Sequence, residues 1–128
     1  MNRLISLGLA MLAGAAFGGL AVNGLNAQNK APGAYAVIDI SDITNPELFK
    51  TLLSKAEAPV TAAGGKFVVR TEKITARDGA PPKRFVVIGF DSMEKAKAWD
   101  SLPAQKEIDD MRSKSAKARS FFVDGAVN

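Results

Sequence analysis

The apolar positions of this chain recur with two different periods, and each change of period marks a new element. From residue 34, AYAVIDI is rich in β-branched side chains. Ala36, Ile38 and Ile40 fall on one face, with Tyr35, Val37 and Asp39 on the other, which predicts a first strand over 34–40. The period turns helical after Thr44-Asn45-Pro46-Glu47. Leu48, Phe49, Leu52, Leu53 and Ala56 share one side there; Thr44 or Asn45 can cap the helix, Pro46 fits its first position and Glu47 suits the positive end of its dipole. Pro59 cannot donate a backbone hydrogen bond, so the helix must kink or break around it before resuming through Ala62-Ala63. Residues 67–73 predict a second strand, and 75–82 a loop turned by Asp78-Gly79. RFVVIGF at 84–90 is the third strand. Asp91 or Ser92 caps a helix with Met93, Ala96 and Trp99 on one face, and Leu102-Pro103 interrupts it. Ala104, Ile108, Met111 and Ser115 form the face of a further helix, and residues 120–124 the last strand.

The order is β-α-β followed by β-α-(α)-β. That doubled unit predicts an α+β, ferredoxin-like βαββαβ fold: a four-stranded antiparallel sheet, strands one and three central, helices on one face. The strands are apolar on both faces. Val86 and Ile88 oppose Phe85 and Val87, and Phe121 and Val123 oppose Phe122. Helices cover one face only, and a monomer would leave the other as an exposed apolar patch. The expected solution is a two-fold homodimer, sheet against sheet.

AAGGKFVVR, residues 62–70, has the glycines and lysine of a phosphate-binding loop but not its spacing. Val60 stands where the loop needs its first glycine and Phe67 where it needs Ser or Thr. The two glycines therefore read as a helix end followed directly by a strand.

Composition narrows the chemistry. The 128 residues contain neither cysteine nor histidine, which removes thiol nucleophiles, disulfides, zinc-thiolate sites, imidazole ligation and Ser-His systems. Asp39/Asp42 and Asp109/Asp110 do not match a calcium loop, so neither metal nor cofactor is expected. The net charge of +4 is dispersed. Its densest basic run, 106–119, is interrupted by acids and holds no aromatic residue, so no nucleic-acid partner is expected.

Residues 1–27 have the form of a secretory signal: Arg3, then no charge until Lys30, with a possible cleavage site at Leu25-Asn26-Ala27. Residues 4–25 are also about long enough for an uncleaved anchor, which needs roughly 20 apolar residues. The expected layout is a leader or anchor at 1–27, a linker at 28–33, one domain at 34–125 and a tail at 126–128. The domain would lie in the periplasm or outside the cell, touching a membrane only if the leader is retained.

AYAVIDI, Asn45-Pro46 with Phe49, AAGGKFVVR, and KRFVVIGF followed by Asp91-Ser92 and Ala98-Trp99 occur in a distinctive order. With Arg112 and Val123-Asp124-Gly125 they resemble the bacterial family called domain of unknown function 1330, over about residues 34–125. The resemblance implies a dimeric α/β barrel. Two departures stand out: relatives often carry an acid where this chain has Gly89, and a Ser-Pro-Glu-Tyr-like segment where it has Leu102-Pro103-Ala104-Gln105. The family has no settled activity, so the resemblance implies fold and dimerisation rather than a reaction.

Asp39 and Arg84 are the candidate catalytic pair, the carboxylate as acid or base and the arginine holding an anionic or carbonyl oxygen. Arg70 could take the arginine's part, and the simpler reading of Asp39 is a solvated or structurally ion-paired residue. Tyr35, Arg70, Trp99 and Arg112 are candidate ligand-binding residues, although Arg112 could simply pair with Asp109. Two functions follow: a module that binds a small organic molecule or a protein, or a small cofactor-free enzyme, of isomerase or monooxygenase type, with Asp39 and an arginine in its cleft.

Overall fold

A computed structural model describes residues 31–126, and the predicted leader lies outside them. The elements follow in the order β1 (Ala34–Ile43), α1 (Pro46–Lys55), α2 (Glu57–Ala62), β2 (Lys66–Thr71), β3 (Arg84–Phe90), α3 (Met93–Asp100), α4 (Pro103–Ser115) and β4 (Ala116–Asp124). The strands form one antiparallel sheet in the order β2-β3-β1-β4, so β1 and β3 are central. The fold is the expected α+β, ferredoxin-like one.

Register fixes the faces. Ala36 lies opposite Ile88 and Ile38 opposite Val86, and both pairs point into the helix layer with Phe90. Phe49 and Leu52 of α1, Val60 of α2, Ala96 and Trp99 of α3 and Ile108 of α4 close over them. The Phe90 and Trp99 rings meet with centroids 5.5 Å apart, tilted by 37°.

Local chemistry explains the boundaries. Asn45 caps α1, its side-chain oxygen accepting from the Leu48 N–H at 3.1 Å. The break between α1 and α2 falls at Ala56, upstream of the proline. Pro59 has no N–H for the Lys55 carbonyl and its ring crowds that group, so the first helix ends at Lys55. At the end of α2 the Gly64 N–H donates to Thr61 O (3.0 Å) and the Gly65 N–H to Val60 O (2.8 Å), with Gly64 at φ +80°. This is the six-to-one closure that a left-handed residue permits. A Cβ on Gly64 would meet nothing within 4 Å. Gly64→Ala therefore isolates backbone strain, and should lower unfolding free energy by about 1–2 kcal/mol in urea titration.

Several boundaries and faces differ from the sequence expectation. β1 runs on to Ile43 through a bulge at Ser41, whose Oγ donates to Lys117 O at 3.1 Å. β2 is shorter at its far end, and β4 begins at Ala116 rather than at 120. Ser92, not Asp91, supplies the cap of α3. On α4 the buried positions are Gln105, Ile108 and Ser115, while Ala104 is exposed.

The N-terminal lead-in has its own packing. The Gly33 N–H donates to Phe90 O and the Gly125 N–H to Gly33 O, at 2.9 and 2.8 Å. Pro32 lies over Gly89, where a Cβ would meet the proline Cγ at 2.8 Å.

Candidate functional site

Between the helix layer and the inner face of the sheet lies a cavity of about 180 Å³. The strands contribute Ile38, Ile40, Phe67, Val86 and Ile88; the helices contribute Phe49, Leu52, Val60, Trp99 and Ile108. Leu53, 37% exposed, is also in its wall. Four polar side chains interrupt this surface: Arg70, Arg84, Gln105 and Arg112. The lining contains no carboxylate. A smaller cavity of about 130 Å³ shares Ile38, Trp99 and Arg112 with it and adds Asp100, Asp109 and Ser120.

Each arginine is tethered at one end. Arg84 Nη1 lies 3.4 Å from Glu72, Arg112 Nη1 3.2 Å from Asp109 and Arg70 Nη1 3.7 Å from Glu57. Arg70 also places its guanidinium carbon 4.1 Å from the centre of the Phe67 ring. Gln105 is buried, and its amide nitrogen donates to Asp109 at 3.1 Å, so one carboxylate holds both Gln105 and Arg112. Two buried donors have no partner among the described residues: Arg84 Nε and Trp99 Nε1. Both belong to cavity-lining residues.

The structure thus gathers four of the six expected site residues, Arg70, Arg84, Trp99 and Arg112, around one cavity. It separates the other two. Asp39 and Tyr35 alternate with Ile38 and Ala36, so they occupy the outer face of the sheet. Asp39 lies opposite Phe85 and Arg119, and Arg119 Nε approaches its carboxylate at 3.4 Å. The expected cleft in which Asp39 works beside Arg84 or Arg70 is therefore not formed within the chain, because the two-residue period of β1 turns the carboxylate away from the helices. The Arg119 side chain is 78% exposed, so the ion pair is weak: Asp39→Asn should change stability by less than about 1 kcal/mol in urea titration. Gln105 escaped the sequence reading. A polar residue at the start of a helix looks like a solvated one, and only its three- and seven-residue spacing to Ile108 and Arg112 signals an inward position.

The comparisons agree with this architecture. A family model described as domain of unknown function (DUF1330) matches residues 33–126. No curated protein matches the sequence. Among similar solved structures is a protein of unknown function from Rhodopseudomonas palustris, with TM-score 0.61 and 11% identity over 84% of this chain and 94% of that one. Another is SnoaB, a cofactor-independent oxygenase from Streptomyces nogalater, with TM-score 0.53 and 13% identity over 77% and 97% of the two chains. A third is a dimeric ferredoxin-like protein of unknown function from Thermobifida fusca, with TM-score 0.50 and 8% identity over 74% and 92%. At these identities the likeness is one of fold.

Proposed function

The chain belongs to the DUF1330 family, and from that premise we propose that it is an exported homodimer that binds a compact organic molecule between its helices and its sheet. The cavity carries the reading. About 180 Å³ bounded mostly by aliphatic and aromatic side chains, with a few polar groups, has the composition of a small-molecule site. An engineered apolar cavity of about 150 Å³ in another protein takes up benzene, which sets the scale of the occupant.

Dimerisation is supported by the uncovered face of the sheet. Val37, Val87, Phe85, Phe121 and Val123 share it by register, and Phe121 and Val123 remain 45% and 39% exposed. Export rests on the form of residues 1–27, and the N-terminal mass of the protein recovered from cells checks it.

Trp99 is the only tryptophan and lines the cavity, so its emission reports on occupancy. A screen of compact aromatic and aliphatic compounds should find at least one that shifts this emission saturably and raises the melting temperature. Leu53→Phe, which enlarges a side chain at the wall, should weaken that binding. A screen without a saturable response would remove the small-molecule reading.

A catalytic reading draws on the fold shared with the cofactor-independent oxygenase. In it the arginines would hold an oxyanion. Asp39 faces away, so the proton acceptor would have to be the substrate itself or a group beyond this lining. The binding reading requires neither.

A further inference from the structure

The structure assigns the cavity a ligand class: a small apolar monocarboxylate, its hydrocarbon body among the aliphatic and aromatic walls and its carboxylate at Arg84 and Trp99. This rests on the small-molecule reading above and narrows it. Binding sites select by what their polar groups lack, and here the charged groups are all cations. Arg70, Arg84 and Arg112 line the cavity with no carboxylate among them. A ligand cation would meet the guanidiniums at the wall, with their carboxylate partners Glu57, Glu72 and Asp109 outside the lining.

The donors are also spare. Arg84 offers five N–H groups, and its contact with Glu72 uses Nη1 alone, at a long 3.4 Å. Its Nε–H is buried and unpartnered, on a side chain 13% exposed. The Trp99 Nε1–H, on a residue 4% exposed, is also unpartnered. Leaving a buried donor without an acceptor costs about 1–3 kcal/mol. Two such donors on residues that line one cavity favour an occupant that accepts hydrogen bonds at more than one atom. A carboxylate does so, with about four lone-pair sites on its two oxygens. Arg70, Gln105 and Arg112 are already held by Glu57 and Asp109, and the remainder of the wall is apolar, which favours a ligand with one charged end. The volume limits the body to about the size of one aromatic ring.

Three probes of similar size separate the alternatives: benzoate, benzyl alcohol and benzylamine, titrated into the full chain by calorimetry and Trp99 emission. Benzoate should bind at least about tenfold more tightly than benzyl alcohol, the factor expected of one charge-assisted hydrogen bond, and benzylamine should not bind. Arg84→Met should lose about tenfold or more for benzoate and leave benzyl alcohol unchanged. Should that variant fail to fold, Arg84→Lys, which keeps the charge and removes the Nε donor, serves instead and should still weaken benzoate. Arg119→Gln, on the outer face, should bind benzoate as the parent does. Equal binding of benzoate and benzyl alcohol, or binding of benzylamine, overturns the carboxylate assignment and leaves the small-molecule reading standing. Absence of binding by all three overturns the assignment, and a silent wider screen removes the broader reading as well.

Discussion

Val87→Asp should turn the proposed dimer into a monomer without unfolding it. Val87 lies at the centre of the uncovered face, directly opposite Val37 on one side and Val69 on the other. In a two-fold interface the substitution appears twice, so two carboxylates would have to be desolvated. At about 2 kcal/mol or more for each, the dimerisation constant falls by about a thousandfold. Light scattering coupled to gel filtration at micromolar concentration should give half the parent mass, with an unchanged far-ultraviolet spectrum. A Val87→Asp protein that remains dimeric would place the interface elsewhere.

The second large effect is on stability. Phe90 is 1% exposed, ends β3 and lies against Trp99 in the core. Phe90→Ala removes most of a ring from a site enclosed by sheet and helix, and the cost of such truncations is about 3–5 kcal/mol. A domain of this size has about 5–15 kcal/mol in total. The urea midpoint should fall accordingly, with the emission of Trp99 moving toward the red as water reaches it. A loss below about 1 kcal/mol would mean that the aromatic pair is not a main support of the fold.

How much of this was readable beforehand varied with the element. β3 was legible to the residue, because an unbroken apolar run is bounded by Lys83-Arg84 and Asp91-Ser92. The end of α2 was legible because a left-handed glycine is the usual residue for this closure. The first half of β4 was not. Lys117, Ala118 and Arg119 carry no strand signal of their own, and they pair only because β1 continues past its bulge to meet them. The inner and outer rows of β1 were visible in its alternation, yet the row beneath the helices depends on pairing with β3. That dependence left Asp39 and Arg84 grouped, although register puts Ile40, not Asp39, opposite Arg84. A cleft lined by Phe, Val and Trp99 was foreseen, but not its place between the layers or its full lining. It is a residue of volume left between two layers, and no local pattern encodes it; Arg70, Arg84, Trp99 and Arg112 could be singled out only as charges and an aromatic in search of a role.

The proline resting on Gly89 ties two positions that are far apart in sequence. Any side chain at 89 would claim the space of the Pro32 ring. A relative with a side chain at the equivalent of Gly89 would need a different residue or path at the equivalent of Pro32. Positions 32 and 89 should covary across the family, with proline at the first accompanying glycine at the second. A Gly89→Asp change alone should free the lead-in, and a compensating change at 32 should restore the fit.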